Sequence, residues 1–143
     1  MDKLRKPKLL VIGGTGFIGY HLIKKAKVKS WDVTSISLKS KKNLIKDVKY
    51  YRVDLRNEKK LKKILNKKFD YVVNLGGYIN HQSLNKGGNK EIEVHFHGVM
   101  NLIKYLSRHK LKRFVQIGSS DEYGASSAPQ SENLRELPIQ NSI

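Results

Sequence analysis

The chain has 143 residues, enough for one domain with a real core and too few for two large ones. Apolar residues make up 38%, the mean hydropathy is −0.54, and no apolar run approaches the roughly 20 residues a membrane helix needs. The net charge is +17 and there is no cysteine, which excludes disulfides, thiolate metal sites and a cysteine nucleophile.

Residues 8–12 form a short apolar run that stops at glycine, the pattern of a buried strand. The basic start before it imitates a signal peptide. Its apolar run ends at Ile12 with no small-residue cleavage site, so export is rejected and a cytoplasmic address expected. Residues 17–27 predict a helix, 32–38 an alternating strand, 39–46 a basic loop and 48–53 a third strand with Asp54 beyond its end. Asn57 is a suitable N-cap for a helix over 58–66, where Leu61, Ile64 and Leu65 fall at helical spacing. Residues 71–75 predict a fourth strand, 80–90 a mobile polar loop, and 113–117 a fifth strand. Between the last two, Ile92, Phe96, Val99, Ile103 and Leu106 predict one apolar stripe on a helix over 91–108. Alternating strands and helices predict an α/β fold, a doubly wound parallel sheet of at least five strands.

Residues 1–72 carry 21 bases against 6 acids, and residues 73–143 carry 8 against 6. Nucleic-acid binders interleave such charge with arginine and aromatic residues. Here Lys59, Lys60, Lys62, Lys63, Lys67 and Lys68 occupy the polar side of a helix, so a solvated face is favoured over nucleic acid. No metal is expected either. His81, His95, His97 and His109 form no convincing ligand set, because residues two apart diverge on a helix.

Gly13, Gly16 and Gly19 follow a strand and open a helix. That context predicts a dinucleotide loop: Gly13 for the tight turn, Gly16 for close approach of a pyrophosphate to the helix N-terminus, Gly19 for packing of helix on strand. Thr15, Phe17 and Ile18, lying between the glycines, belong to the same loop. In such folds an acid at the end of the second strand binds the ribose 2′-hydroxyl of NAD. Counting about 18–20 residues onward reaches Ser37 and Leu38, neither acidic, followed by Lys39, Lys41 and Lys42. NADP is therefore expected somewhat ahead of NAD, with Ser37 and Lys39 at the ribose.

The spacing Gly-x-x-Gly-x-x-Gly resembles that of the extended short-chain dehydrogenase/reductase family, which groups nucleotide-sugar epimerases, dehydratases and 4-ketoreductases. Four further stretches continue the resemblance: Asp54-Leu55 at the adenine, Asn74-Leu75-Gly76-Gly77 in the cofactor-lining turn, the helix around Gly98-Val-Met-Asn101-Leu102, and RFVQIGSSDEYG over 113–124. It implies a Rossmann-like domain followed by a smaller substrate domain, and hydride transfer at C4 of a nucleotide sugar. It also implies that Ser119 is the catalytic hydroxyl, with Ser120 the alternative. Asp121, two residues before Tyr123, is an acid for dehydration or a loop hydrogen-bonding residue. His95 stands where the family commonly has asparagine.

The family's Tyr-x-x-x-Lys follows the serine loop, and no tyrosine follows Tyr123. Residues 1–143 are thus expected to be the cofactor-binding portion, ending before that pair and before the substrate domain, inactive alone. Tyr20 and Lys24 imitate the pair, but they ride on the helix that starts at the pyrophosphate. A 4-ketoreductase using NADPH is the alternative reaction. A non-catalytic dinucleotide-binding or basic nucleic-acid-binding domain is the alternative of another class. A nucleotide-sugar substrate is the partner the resemblance implies, and apolar surface exposed where further strands would pair predicts self-association, with a homodimer as the candidate.

Overall fold

Lys8–Ile12 forms β1, and Leu10 and Val11 are wholly buried because both faces of the strand are covered. In this computed structural model, which describes residues 5–40, 44–77, 92–119, 123 and 129–132, β1 is the centre of a five-stranded parallel sheet. The other strands are β2 (Asp32–Ser37), β3 (Val48–Arg52), β4 (Tyr71–Asn74) and β5 (Arg113–Gln116), in the order β3-β2-β1-β4-β5. Leu9 pairs with Val33 on one side and with Tyr71 on the other. The chain steps outward from β1 to β3, then crosses back to β4 and steps the other way. That reversal places a crevice at the carboxyl ends of β1 and β4.

Helix α1 (Phe17–Val28) covers one face of the sheet, burying Gly19, Ile23 and Ala26 against Leu9, Val11 and Val33. On the other face lie α2 (Glu58–Leu65) and α3 (Gly98–Tyr105), with Leu61, Leu65 and Leu102 fully buried against Leu10, Ile36 and Val72. Asn57 caps α2 as the sequence suggested, its side chain accepting the Lys60 N–H at 3.1 Å. The six lysines from Lys59 to Lys68 are all exposed.

The apolar stripe is the element that differs. Ile92, Phe96 and Ile103 are exposed, together with Met100, whereas Val94, Gly98, Leu102 and Leu106 turn inward. Two physical causes act together. Glu93–His97 forms a π-helical turn ahead of α3, which shifts the register of side chains around the axis. Gly98 lets the helix settle on Leu55, whose Cβ stands 3.1 Å from where a glycine Cβ would be. The expected mobile loop over 80–90 lies outside the described residues.

The amino-terminal end of the sheet is tied by Asp70, which is 2% exposed. Its carboxylate accepts the Lys8 N–H at 2.8 Å and pairs with Arg5 at 2.5 Å, while its carbonyl accepts the Lys112 N–H at 2.8 Å. Burial pushes the Asp70 carboxyl up, but the Lys8 amide, Arg5 and Lys112 outweigh it and hold the group below the ordinary carboxylate range.

Candidate functional site

The loop leaving β1 is shaped by what its glycines allow. Gly13 has φ of +79°, and a Cβ there would lie 2.9 Å from the Leu75 carbonyl oxygen, so the β1 and β4 loops meet backbone to backbone. A Cβ on Gly19 would overlap the Gly13 carbonyl and stand 2.6 Å from the Gly14 Cα. The loop is therefore folded tightly over the first turn of α1. Gly14, which the spacing argument passed over, sits directly on Ser35 and Ile23; Ser35 Oγ is buried without a hydrogen-bond partner among the described residues.

Helix α1 begins with exposed Gly16 at its N-cap, no side-chain cap and no acid in its first turn. Its first N–H groups are left for an anion, which the helix dipole also favours. Phe17 and Ile18 are 81% and 61% exposed, and with His21, Leu22 and Lys25 they line an open groove of about 450 Å³ beside the loop. Tyr20 and Lys24 lie further along the same helix. Tyr20 is half-buried against His21, and Lys24 is exposed on the side away from the sheet-facing Gly19, Ile23 and Ala26.

At the end of β2 the side chain of Ser37 is buried and accepts the Thr15 N–H at 3.2 Å, while the Thr15 hydroxyl donates to the Lys39 carbonyl at 3.1 Å. The glycine loop and the β2 loop are thereby joined. Arg52, register partner of Ser37 on β3, donates from Nε to the Leu38 carbonyl at 3.0 Å. Sequence counting missed it because only the sheet brings residue 52 beside residue 38. Lys41 and Lys42 lie outside the described residues.

Asp54 and Leu55 follow β3 beside the crevice, but Asp54 is engaged. Arg56 grips its carboxylate at 2.8–3.2 Å through the guanidinium, and its own N–H donates at 2.9 Å. Arg56 also reaches Glu93 at 2.7 Å, and these two acids drive the guanidinium pKa upward, Asp54 most. Leu55 is buried, and its carbonyl accepts from Asn101 Nδ2 at 3.0 Å, which pins α3 to this loop.

On the β4 side Asn74 is fully buried. Its Oδ1 accepts the Gly76 N–H at 3.0 Å and its Nδ2 donates to Gln116 Oε1 at 2.8 Å. One side chain thus sets the turn Leu75-Gly76-Gly77 and holds it to the end of β5. Three residues past β5, exposed Ser119 emerges at the same carboxyl end of the strands as the glycine loop. Tyr123 is half-buried; Ser120 and Asp121 lie outside the described residues. Among the described residues, no group of three or more His, Cys, Asp or Glu gathers to hold a metal, and no helix is long and apolar enough to cross a membrane.

A glycine loop folded onto an uncapped helix N-terminus, at the switch point of a parallel sheet, defines a Rossmann-like dinucleotide-binding domain. The profile of the NAD dependent epimerase/dehydratase family matches residues 9–142, and the chain belongs to that family. It is 27% identical over 136 residues to the dTDP-D-glucose 4,6-dehydratase of Dictyostelium discoideum, covering 87% of this chain and 31% of that protein. An epimerase of Methanothermobacter thermautotrophicus superposes with a TM-score of 0.84 at 21% identity, over 96% of this chain and 43% of that one. The UDP-glucose 4-epimerase of Thermus thermophilus, solved with NAD, superposes at 0.78 with 21% identity, over 92% of this chain and 44% of that one. The chain therefore spans less than half the length of these relatives.

Proposed function

We propose that this chain is the cofactor-binding portion of an NAD(P)-dependent nucleotide-sugar epimerase or dehydratase, the parent enzyme moving a hydride at C4 of the sugar. The observation that carries the reading is the glycine loop: its backbone is closed by Gly13 and Gly19, and it feeds an uncapped α1 at the crevice between β1 and β4. In this reading Gly13, Thr15, Gly16, Phe17, Ile18 and Gly19 hold the pyrophosphate. Ser37 and Lys39 lie at the adenosine ribose, Asp54 and Leu55 at the adenine, and Leu75, Gly76 and Gly77 line the path toward the nicotinamide. When bound, the nicotinamide supplies reversible hydride transfer. Ser119 is the hydroxyl that hydrogen-bonds the sugar oxygen, and Asp121 the acid of a dehydration. The pairing Tyr-x-x-x-Lys and the substrate domain belong to the longer parent. A composition without cysteine suits the cytoplasm.

NADP is preferred over NAD in this reading. Ser37 stands where a carboxylate would repel a 2′-phosphate, and Lys39 with Arg52 supplies the local positive charge. We also infer a homodimer in which the exposed stripe Ile92, Phe96, Met100 and Ile103 packs against its counterpart in a second copy.

Calorimetric titration with NAD(H) and NADP(H) at two salt concentrations tests the assignment. The expected result is binding of both with NADP favoured, and single variants Arg52→Ala and Lys39→Ala that each lose about tenfold in NADP affinity, the worth of one charge-assisted contact. Equal affinities would overturn the NADP preference; binding of neither would overturn the cofactor reading for this chain.

A further inference from the structure

Trp31, the one tryptophan of the chain, stands immediately before β2, and Tyr71 opens β4. With β1 between their strands, the two rings stack at a centroid distance of 5.0 Å and an interplanar angle of 21°. Both pack against the core around Leu9 and Val33 and stay only half-buried, so the pair is anchored from within and open from without. Lys112, immediately before β5, carries its Nζ over the Tyr71 ring at 6.0 Å from the centroid. On the Trp31 side, Lys27 Nζ donates to the Trp31 carbonyl at 3.4 Å and to the Asp47 carbonyl at 3.1 Å. Lys29 is exposed two residues before Trp31. A strip of cation, ring, ring and cation thus crosses the amino ends of β2, β1, β4 and β5.

Little of its charge is neutralised. Of the acids at this end, Asp70 is buried and held by Arg5, and Asp32 pairs with Lys49. Among the described residues Lys27, Lys29 and Lys112 form no salt bridge, and Asp47 is the acid left near them. Three interstrand steps of about 4.8 Å make the strip about 14 Å long, room for about four nucleotides at the roughly 3.4 Å rise of one strand. Cations that follow phosphates and rings that stack on any base are the two parts of a single-strand site. An acidic peptide would answer the charge and leave the rings unused.

We propose that the Trp31–Tyr71 stack, with Lys27, Lys29 and Lys112, is a binding site for single-stranded nucleic acid at the end of the sheet opposite the glycine loop. The five residues of β1 separate the two ends by about 16 Å, so the site stands apart from the cofactor reading and both can be filled at once. Sequence spacing hid it, because Trp31, Tyr71 and Lys112 lie far apart in the chain and only the sheet brings them together.

Trp31 is its own reporter. The whole 143-residue chain is titrated with an oligothymidylate of about twelve nucleotides, following Trp31 emission, and with the labelled oligonucleotide, following anisotropy, each with and without saturating NAD. The expected result is quenching of Trp31 that NAD leaves unchanged. A fourfold rise in salt should weaken binding about twentyfold, from three cations at a single-strand slope of about −0.7 each. By anisotropy Trp31→Leu should lose about tenfold, the worth of one stacked base. Lys112→Gln should lose severalfold and make the salt slope shallower by about 0.7. A variant of the α2 face, Lys59→Gln/Lys60→Gln/Lys62→Gln/Lys63→Gln, should stay within about threefold of the parent sequence.

Binding without quenching, displacement by NAD, or a loss confined to the α2 variant would overturn the site. Polyglutamate that quenches as strongly as the oligonucleotide would overturn nucleic acid as its ligand, and no binding at about 50 mM salt would overturn the proposal outright. Lys112 is exposed, so its variant judges the site even where Trp31→Leu fails to fold.

Discussion

Replacing Asp70 by alanine should destabilise the domain without touching the cofactor crevice. The side chain is 2% exposed and lies at the end of the sheet opposite the glycine loop. Its loss leaves the Lys8 N–H without an acceptor, worth about 1–3 kcal/mol. It also removes the Arg5 pair, which contributes at the lower end of a charge-assisted bond because the Arg5 side chain is half exposed. Together these come to about 3 kcal/mol, a large share of the roughly 5–15 kcal/mol that holds a typical domain. At an m-value near about 2 kcal/mol/M, the urea midpoint should fall by about 1.5 M.

Asp70→Asn, which keeps an acceptor for Lys8, should lose about half as much, and a cycle with Arg5→Met should assign the remainder to charge. The pH dependence has a definite sign. The folded-state pKa of Asp70 lies below its unfolded value, so its contribution is fully present above about pH 4 and is lost as pH falls through the depressed value. The advantage over Asp70→Asn should thus be flat at neutral pH and shrink in acid. An Asp70→Ala midpoint indistinguishable from that of the parent sequence, or an advantage that grows below about pH 4, would refute the reasoning.

Gly19→Ala would drive a methyl group into the Gly13 carbonyl and the Gly14 Cα, opening the loop. Overpacking of this kind costs about 1–3 kcal/mol, and NAD(H) affinity by calorimetry should fall at least tenfold. Phe96→Glu, at a position 61% exposed, should leave Tm within about 2 °C but shift the chain to monomer in light scattering. An unchanged assembly would exclude that stripe as the interface.

The two central strands β1 and β4 could be read as apolar runs ending at glycine and β2 by its alternation, and the structure places all five strands within a residue or so of the expected limits. The tight path of the glycine loop was legible as well, since Gly13 and Gly19 act on neighbours a few residues away. The face of α3 was not. Two apolar stripes compete there, and the bulkier one, with Phe96, is outside because a π-helical turn and a glycine decide the register. Nor did spacing disclose Arg56 on Asp54 and Glu93, Arg52 beside Leu38, or the Asn74–Gln116 bridge. Glu93 lies 37 residues from Arg56 and Gln116 lies 42 from Asn74, separations that only the folded sheet closes.

Thr15 bonds to both Ser37 and Lys39, which ties the glycine loop and the loop after β2 into a single plate. A ligand that settles one end has already ordered the other. The two halves of a dinucleotide offered separately should therefore bind more weakly than the joined molecule by more than the sum of their contacts. In the proposed cofactor reading the domain would measure the length of its ligand as well as the chemistry of its ends.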